Sequence, residues 1–220
     1  MRCVIFDLDG TLADTSADLI AAANACFRAM GEGNQLDPAG DAATAFAGGR
    51  AMLRLGLDRL GRLDEAVVDA QYPHLLAAYE AEIDRHTQLY PGAMAAVDAL
   101  KAAGFATAIC TNKPEGLARL LLTRLGVIGA FGGLVGADTL PVRKPSPQPF
   151  HEAVARAGGT SGRALLVGDT VTDRDTARAA GAPVVLVTFG PDGEGVADLA
   201  PDALLPHYDA LPEIAARLLP

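Results

Sequence analysis

Four short apolar runs, each closed by a polar or glycine turn, constrain this chain most: residues 3–6, 105–110, 164–167 and 184–188. Runs of this length, bounded by turn residues, read as strands buried on both faces. Residues 133–137 predict a weaker strand, and Ala203–Leu205 a short edge strand. Helix-length stretches lie between them: 92–103, Pro114 to Leu125, Pro147 to about Ala157, 172–180, and a last one at 209–219. Strand, helix, strand, helix predicts an α/β fold, a doubly wound parallel sheet (Rossmann-like core) covered on both faces.

Residues 14–86 interrupt that alternation. Thr15 or Ser16 can cap a helix to about Met30, stopped by Gly31. Asp37-Pro38 marks a second helix, ending before Gly48. A third runs from about Arg50 to Leu60, and a fourth from Asp64 to about Arg85, kinked or split at Pro73. No strand pattern interrupts them. The sequence thus predicts a core domain from residues 1–13 and 87–220, with a small all-helical domain inserted at 14–86.

Half of the 220 residues are hydrophobic, enough for a sizeable core. Eighteen basic against twenty-seven acidic residues give a net charge of −9, which argues against a nucleic-acid or anionic-membrane partner. A phosphate site would have to be positive locally. Cys3, Cys26 and Cys110 are scattered, and His74, His86, His151 and His207 lack metal-ligand spacing. No apolar run reaches the ~18 residues of a membrane span. The chain enters a strand at once, so the expected compartment is the cytoplasm.

The first strand runs into Asp7-Leu8-Asp9-Gly10-Thr11. Side chains two positions apart on a strand point the same way, so Asp7 and Asp9 should share one side. Like charges in one small site need a cation, and oxygen-only ligands favour Mg²⁺. A carboxylate beside Mg²⁺ can attack phosphorus, and a second can carry a proton. In open parallel sheets, ligands bind beyond the carboxyl ends of the strands. Four such ends carry polar groups here: Asp7 with Asp9, Thr111 with Asn112, Lys144, and Asp169 with Asp173. Of the three lysines, Lys113 and Lys144 lie in turns where a compact ammonium suits a phosphate.

Through these four motifs, in this order, the sequence resembles the haloacid dehalogenase-like phosphohydrolases. Gly136-Ala137-Asp138-Thr139-Leu140-Pro141, leading to Lys144-Pro145, looks most like the phosphoglycolate phosphatases among them. The resemblance implies that Asp7 is the nucleophile and forms an aspartyl-phosphate. It implies that Asp9 protonates the leaving alkoxide and then activates water. It gives Mg²⁺ to Asp7, the backbone carbonyl of Asp9, and Asp169, with Asp173 supporting the metal site through water or through Lys144. Thr111 and the Asn112 amide would bind phosphoryl oxygens, and Lys144 would neutralise charge. The inserted helical domain stands where the family carries a small cap; there Gly49 would let the backbone approach substrate and Arg50 would read a carboxylate or phosphate.

The expected activity is Mg²⁺-dependent hydrolysis of a small phosphorylated metabolite, 2-phosphoglycolate first, by a monomer or homodimer. Alternatives within the family are a sugar-phosphate phosphatase, a pyrophosphatase or a phosphomutase. From other classes come a catalytically idle phosphate-binding module and a dinucleotide binder. The last needs a Gly-x-Gly-x-x-Gly turn where this chain has Asp-Leu-Asp-Gly-Thr.

Overall fold

The computed structural model describes residues 1–160 and 162–220. The chain divides into two compact units, one of Met1–Ala13 with Leu89–Pro220 and one of Asp14–Gln88.

The larger unit is built on a six-stranded sheet: β1 (Cys3–Phe6), β4 (Ala106–Cys110), β5 (Gly133–Val135), β6 (Ala164–Gly168), β7 (Val184–Val187) and β8 (Ala203–Leu205). The spatial order is β5-β4-β1-β6-β7-β8. The pairings are parallel, with Cys3–Phe6 aligned to Ala106–Ile109 on one side and Ala164–Val167 on the other. Parallel strands need crossovers, supplied by α5 (Ala93–Ala102), α6 (Glu115–Arg124), α7 (Gln148–Arg156) and α8 (Val171–Ala180), with α9 (Leu211–Leu218) after the last strand.

All four β1 residues are buried, as both faces of the sheet are covered. Cys3 and Ile5 share one face with Ala108, Leu166 and Leu186, under Phe150, Ala153 and Val154 of α7 and Ala177 of α8. Burying each large aliphatic side chain there stabilises the fold by about 1.5–3 kcal/mol. From β1 the chain steps outward to β4 and β5, then returns to the other side of β1 as β6. The crevice where strand order reverses therefore lies at β1 and its neighbours, the usual ligand position in such sheets.

The smaller unit holds α1 (Ser16–Ala29), α2 (Ala42–Phe46), α3 (Gly49–Arg59) and α4 (Glu65–Ala81). Ile20, Phe27, Met52, Leu53, Val68, Leu75 and Tyr79 fill its core. Buried Asp18 accepts hydrogen bonds from the amides of His86 and Thr87 and from the Thr87 hydroxyl. That ties the end of the insert back to its beginning.

Two expectations for this stretch need correction. Helix α2 starts at Ala42 rather than Asp37, because the polar groups of 37–41 form a turn of their own. The Asp37 amide donates to Asp41 Oδ2, the Gly40 amide donates to Asp37 Oδ2, and Arg59 grips both oxygens of Asp41 at 2.7 Å. Of the kink or split expected at Pro73, the split does not occur: Pro73 lies inside a continuous α4. The carbonyl that Pro73 cannot serve belongs to exposed Asp69, where water can reach it, while Val68, Leu75 and Tyr79 hold the helix by burial. The insert's regular elements are the helices expected, and at its two chain boundaries β2 (Ala13–Asp14) and β3 (Gln88–Leu89) pair as a separate two-stranded sheet. Two-residue strands are too short to show a period in sequence.

Candidate active site

The Asp7 amide continues the ladder by donating to Val167 O at 2.9 Å, so Asp7 stands at the carboxyl end of β1 directly beside β6. Gly10 then turns the chain with φ 79°, a conformation that disfavours side chains. The amides of Thr11, Leu12 and Ala13 all converge on Leu8 O. This tight turn carries Asp7, Asp9 and Thr11.

Beside it, β6 ends at Gly168-Asp169. A Cβ on Gly168 would sit 2.3 Å from Asp173 Cγ, so only glycine lets that carboxylate fold back against the strand end. Asp173 belongs to the first turn of α8, where it forms a reciprocal capping box with Thr170. Its Oδ2 accepts from the amides of Asp169 and Thr170 and from the Thr170 hydroxyl, and its Oδ1 accepts from Lys144 Nζ at 2.6 Å. Both oxygens are thereby engaged by protein groups. The arrangement fits support of the site through Lys144 better than direct ligation of a metal.

Lys144 is almost wholly buried and reaches two carboxylates, Asp173 and Asp7 Oδ2, the latter at 2.9 Å. Burial alone would discharge it, but Asp173 and Asp7 outweigh that and hold it firmly protonated. The Asn112 side-chain amide donates to the Lys144 carbonyl at 3.2 Å, joining the turn after β4 to the lysine loop. Thr111 is buried at the end of β4, its hydroxyl accepting from the Lys113 amide.

Asp9 pairs with Lys113, which the sequence offered as an ammonium suited to phosphate but not as the partner of this carboxylate. Lys113 Nζ donates to Asp9 Oδ1 at 2.7 Å, with the lysine side chain only 4% exposed. The signal was available in part, because lysine is rare here and Lys113 stands in the Thr111 turn. The pairing itself spans 104 positions and is invisible in one dimension.

Asp7, Asp169 and Asp173 each offer an oxygen within 4.8 Å of the others. Asp169 Oδ1 accepts from the Thr11 hydroxyl at 2.9 Å, whereas Asp169 Oδ2 is buried with no hydrogen-bond partner. An orphaned buried carboxylate oxygen costs free energy unless something positive meets it. With all four site carboxylates ionised against two ammonium groups, the site would carry a formal charge of −2, which a divalent cation can balance. Burial first, and then the neighbouring carboxylate of Asp173, push the Asp169 acid well above the carboxylate range. Burial likewise raises Asp7 to about 6, against the opposing pull of Lys144. These donors fit a hard cation, with Asp169 Oδ2 and Asp7 as its natural contacts, and the cluster can bind a metal.

Arg50 and Gly49 lie in the other unit. Arg50 pairs with Asp69 and lies over the Tyr72 ring at 4.5 Å. A Cβ on Gly49 would stand 3.0 Å from Tyr72 Cε2 and 3.1 Å from Leu75 Cδ2, so the close approach Gly49 permits is to α4.

The Asp7 carboxylate, the buried Lys144 beside it and the carboxylate cluster that can bind a metal, gathered at the carboxyl ends of the central strands, agree with the sequence comparisons. A profile of haloacid dehalogenase-like hydrolases matches residues 1–181. The chain belongs to that family. A phosphoglycolate phosphatase of Mesorhizobium japonicum is 40% identical over 218 residues, covering 98% of this chain and 96% of the relative. One from Rhodospirillum rubrum is 38% identical, covering 96% and 89%. A crystal structure described as a predicted phosphoglycolate phosphatase from Haemophilus somnus superposes with a TM-score of 0.82 at 25% identity, covering 97% of each chain. This member of the family is a phosphoric monoester hydrolase. Among the described residues, no helix is long and apolar enough to cross a membrane.

Proposed function

We propose that the chain hydrolyses 2-phosphoglycolate through an aspartyl-phosphate on Asp7, with Mg²⁺ as its metal and the helical insert as a cap. The observation that carries the reading is the Asp7–Lys144–Asp173 relay beside the unpartnered Asp169 Oδ2. The substrate is taken from the relatives of full-length similarity, which are called phosphoglycolate phosphatases. Bound Mg²⁺ supplies positive charge that lets two anions, the Asp7 carboxylate and the phosphoryl group, approach each other.

Phosphoryl transfer needs positioning and charge neutralisation above all. Asp7, ionised and held by Lys144, forms a bond to phosphorus as the ester oxygen–phosphorus bond breaks. Thr111 and the Asn112 amide hold phosphoryl oxygens. Asp9 gives a proton to the departing alkoxide, then takes one from the water that cleaves the acyl-phosphate and restores Asp7. While Lys113 holds Asp9, that carboxylate is placed as an acceptor, the form the second step needs; substrate binding must shift the proton or the pair for the first. Asp173 keeps Lys144 aimed at Asp7. The cap sets substrate choice, and Arg50 reads the substrate carboxylate after exchanging its Asp69 partner.

Phosphate release from 2-phosphoglycolate tests the reading. Wild type with Mg²⁺ turns over, whereas excess chelator or Asp7→Asn removes turnover by several orders of magnitude. Full activity in chelator, or no activity of the wild type on 2-phosphoglycolate beside brisk activity on another phosphate ester, contradicts it.

A further inference from the structure

The turn that carries Asp7 and Asp9 is also gripped from the far end of the sequence. Tyr208, fully buried, donates its hydroxyl to the Thr11 carbonyl at 2.8 Å across 197 positions. Thr11 uses its other polar end, the hydroxyl, to hold Asp169 Oδ1 at 2.9 Å. One residue thus joins a C-terminal tyrosine to the carboxylate whose second oxygen is left for a cation. Because Asp169 Oδ1 is fixed, the direction of Oδ2 is fixed too.

The tyrosine is itself wedged. Its ring packs at 5.4 Å on Phe189, which packs at 4.8 Å on Tyr90. Gly92 makes room for it, since a Cβ there would come within 3.3 Å of Tyr208 Cβ. Tyr90 returns to the same turn through its amide, which donates to Leu12 O at 3.0 Å. The loop after β7 completes the backing: a Cβ on Gly190 would stand 3.1 Å from Gly10 O and 3.3 Å from Asp169 Cβ. A phenylalanine would fill the same space as Tyr208. Burying the hydroxyl costs free energy unless it is hydrogen-bonded, and the Thr11 carbonyl is the partner that offsets it.

We propose that Tyr208 is a positioning residue for the metal site, acting through Thr11 to set the orientation of Asp169. Mutating partners that orient ligands in this way typically costs metal affinity or activity. The inference rests on the reading of this cluster as a Mg²⁺ site.

Mg²⁺ binding, measured by calorimetric titration of the full chain, tests it apart from turnover. Tyr208→Phe removes one hydrogen bond and is expected to weaken Mg²⁺ about 3–10-fold. Thr11→Val, which loses the direct contact to Asp169, is expected to weaken it about 10–100-fold. If Tyr208 works through Thr11, the double variant binds no more weakly than Thr11→Val alone. Phe189→Leu loosens the packing but keeps the hydroxyl, and is expected to stay within about twofold of wild type by the same hydrogen-bond logic. Tyr208→Phe with wild-type affinity, a double variant with multiplied losses, or an equal loss in Phe189→Leu overturns the proposal. Wild type that takes up no Mg²⁺ overturns the metal reading, and this inference with it.

Discussion

Asp7→Asn should stabilise the metal-free protein at neutral pH while abolishing catalysis. Burial raises the Asp7 acid from its ordinary 3.8 to about 6. A carboxyl whose folded value lies above its unfolded one contributes stability that is complete below the unfolded value. That contribution is lost as pH rises through the folded one. The full loss is about 3 kcal/mol, and roughly half of it falls between pH 5 and 7.5 by the same linkage. Asparagine keeps the shape and does not titrate. In chelator, the melting temperature of wild type should therefore fall relative to Asp7→Asn across that window, by about 3–6 °C for a chain of this size. Mg²⁺ should restore wild type and do little for the variant, because metal binding takes up the ionised carboxylate. A wild type–variant difference that is flat from pH 5 to 7.5 in chelator, or that moves the other way, refutes the reasoning.

Asp9→Asn should slow the first step more for an alkyl phosphate than for an aryl phosphate, whose leaving group needs little protonation; equal pre-steady-state losses on both would remove Asp9 as the acid. Arg50→Ala should cost about 1.5 kcal/mol in kcat/KM for 2-phosphoglycolate, the low end of a charge-assisted hydrogen bond because Asp69 competes for the guanidinium. It should scarcely touch an aryl phosphate; a uniform loss on both substrates, or none on either, takes Arg50 out of substrate recognition.

What was legible in the sequence is what local physics encodes. β1 announces itself as Cys3–Phe6 because both its faces are buried, and Asp7, Thr111 and Asp169 follow from being the first polar residues after apolar runs. Helix ends at Gly104, Gly126 and Gly181 were readable because each takes a positive φ that other residues resist. What failed depended on contacts between distant residues. The start of α2 is decided by Arg59 closing on Asp41, and the continuity of α4 by the burial of Val68, Leu75 and Tyr79. The same holds in the site. Lys113 on Asp9, Thr11 on Asp169 and Tyr208 on Thr11 are fixed by the sheet order, which brings together side chains that no motif spacing connects.

The most direct test of the account is to catch the phosphoryl group on Asp7. Rapid acid quench of Asp9→Asn with an aryl phosphate and Mg²⁺, followed by peptide mass spectrometry, should find one phosphoryl group on the peptide carrying Asp7, because the aryl leaving group needs little protonation while the variant lacks the base for the second step. Asp7→Asn should show none. A reaction that releases phosphate while that peptide stays unmodified at every quench time, or a phosphoryl group on another residue, would contradict the account.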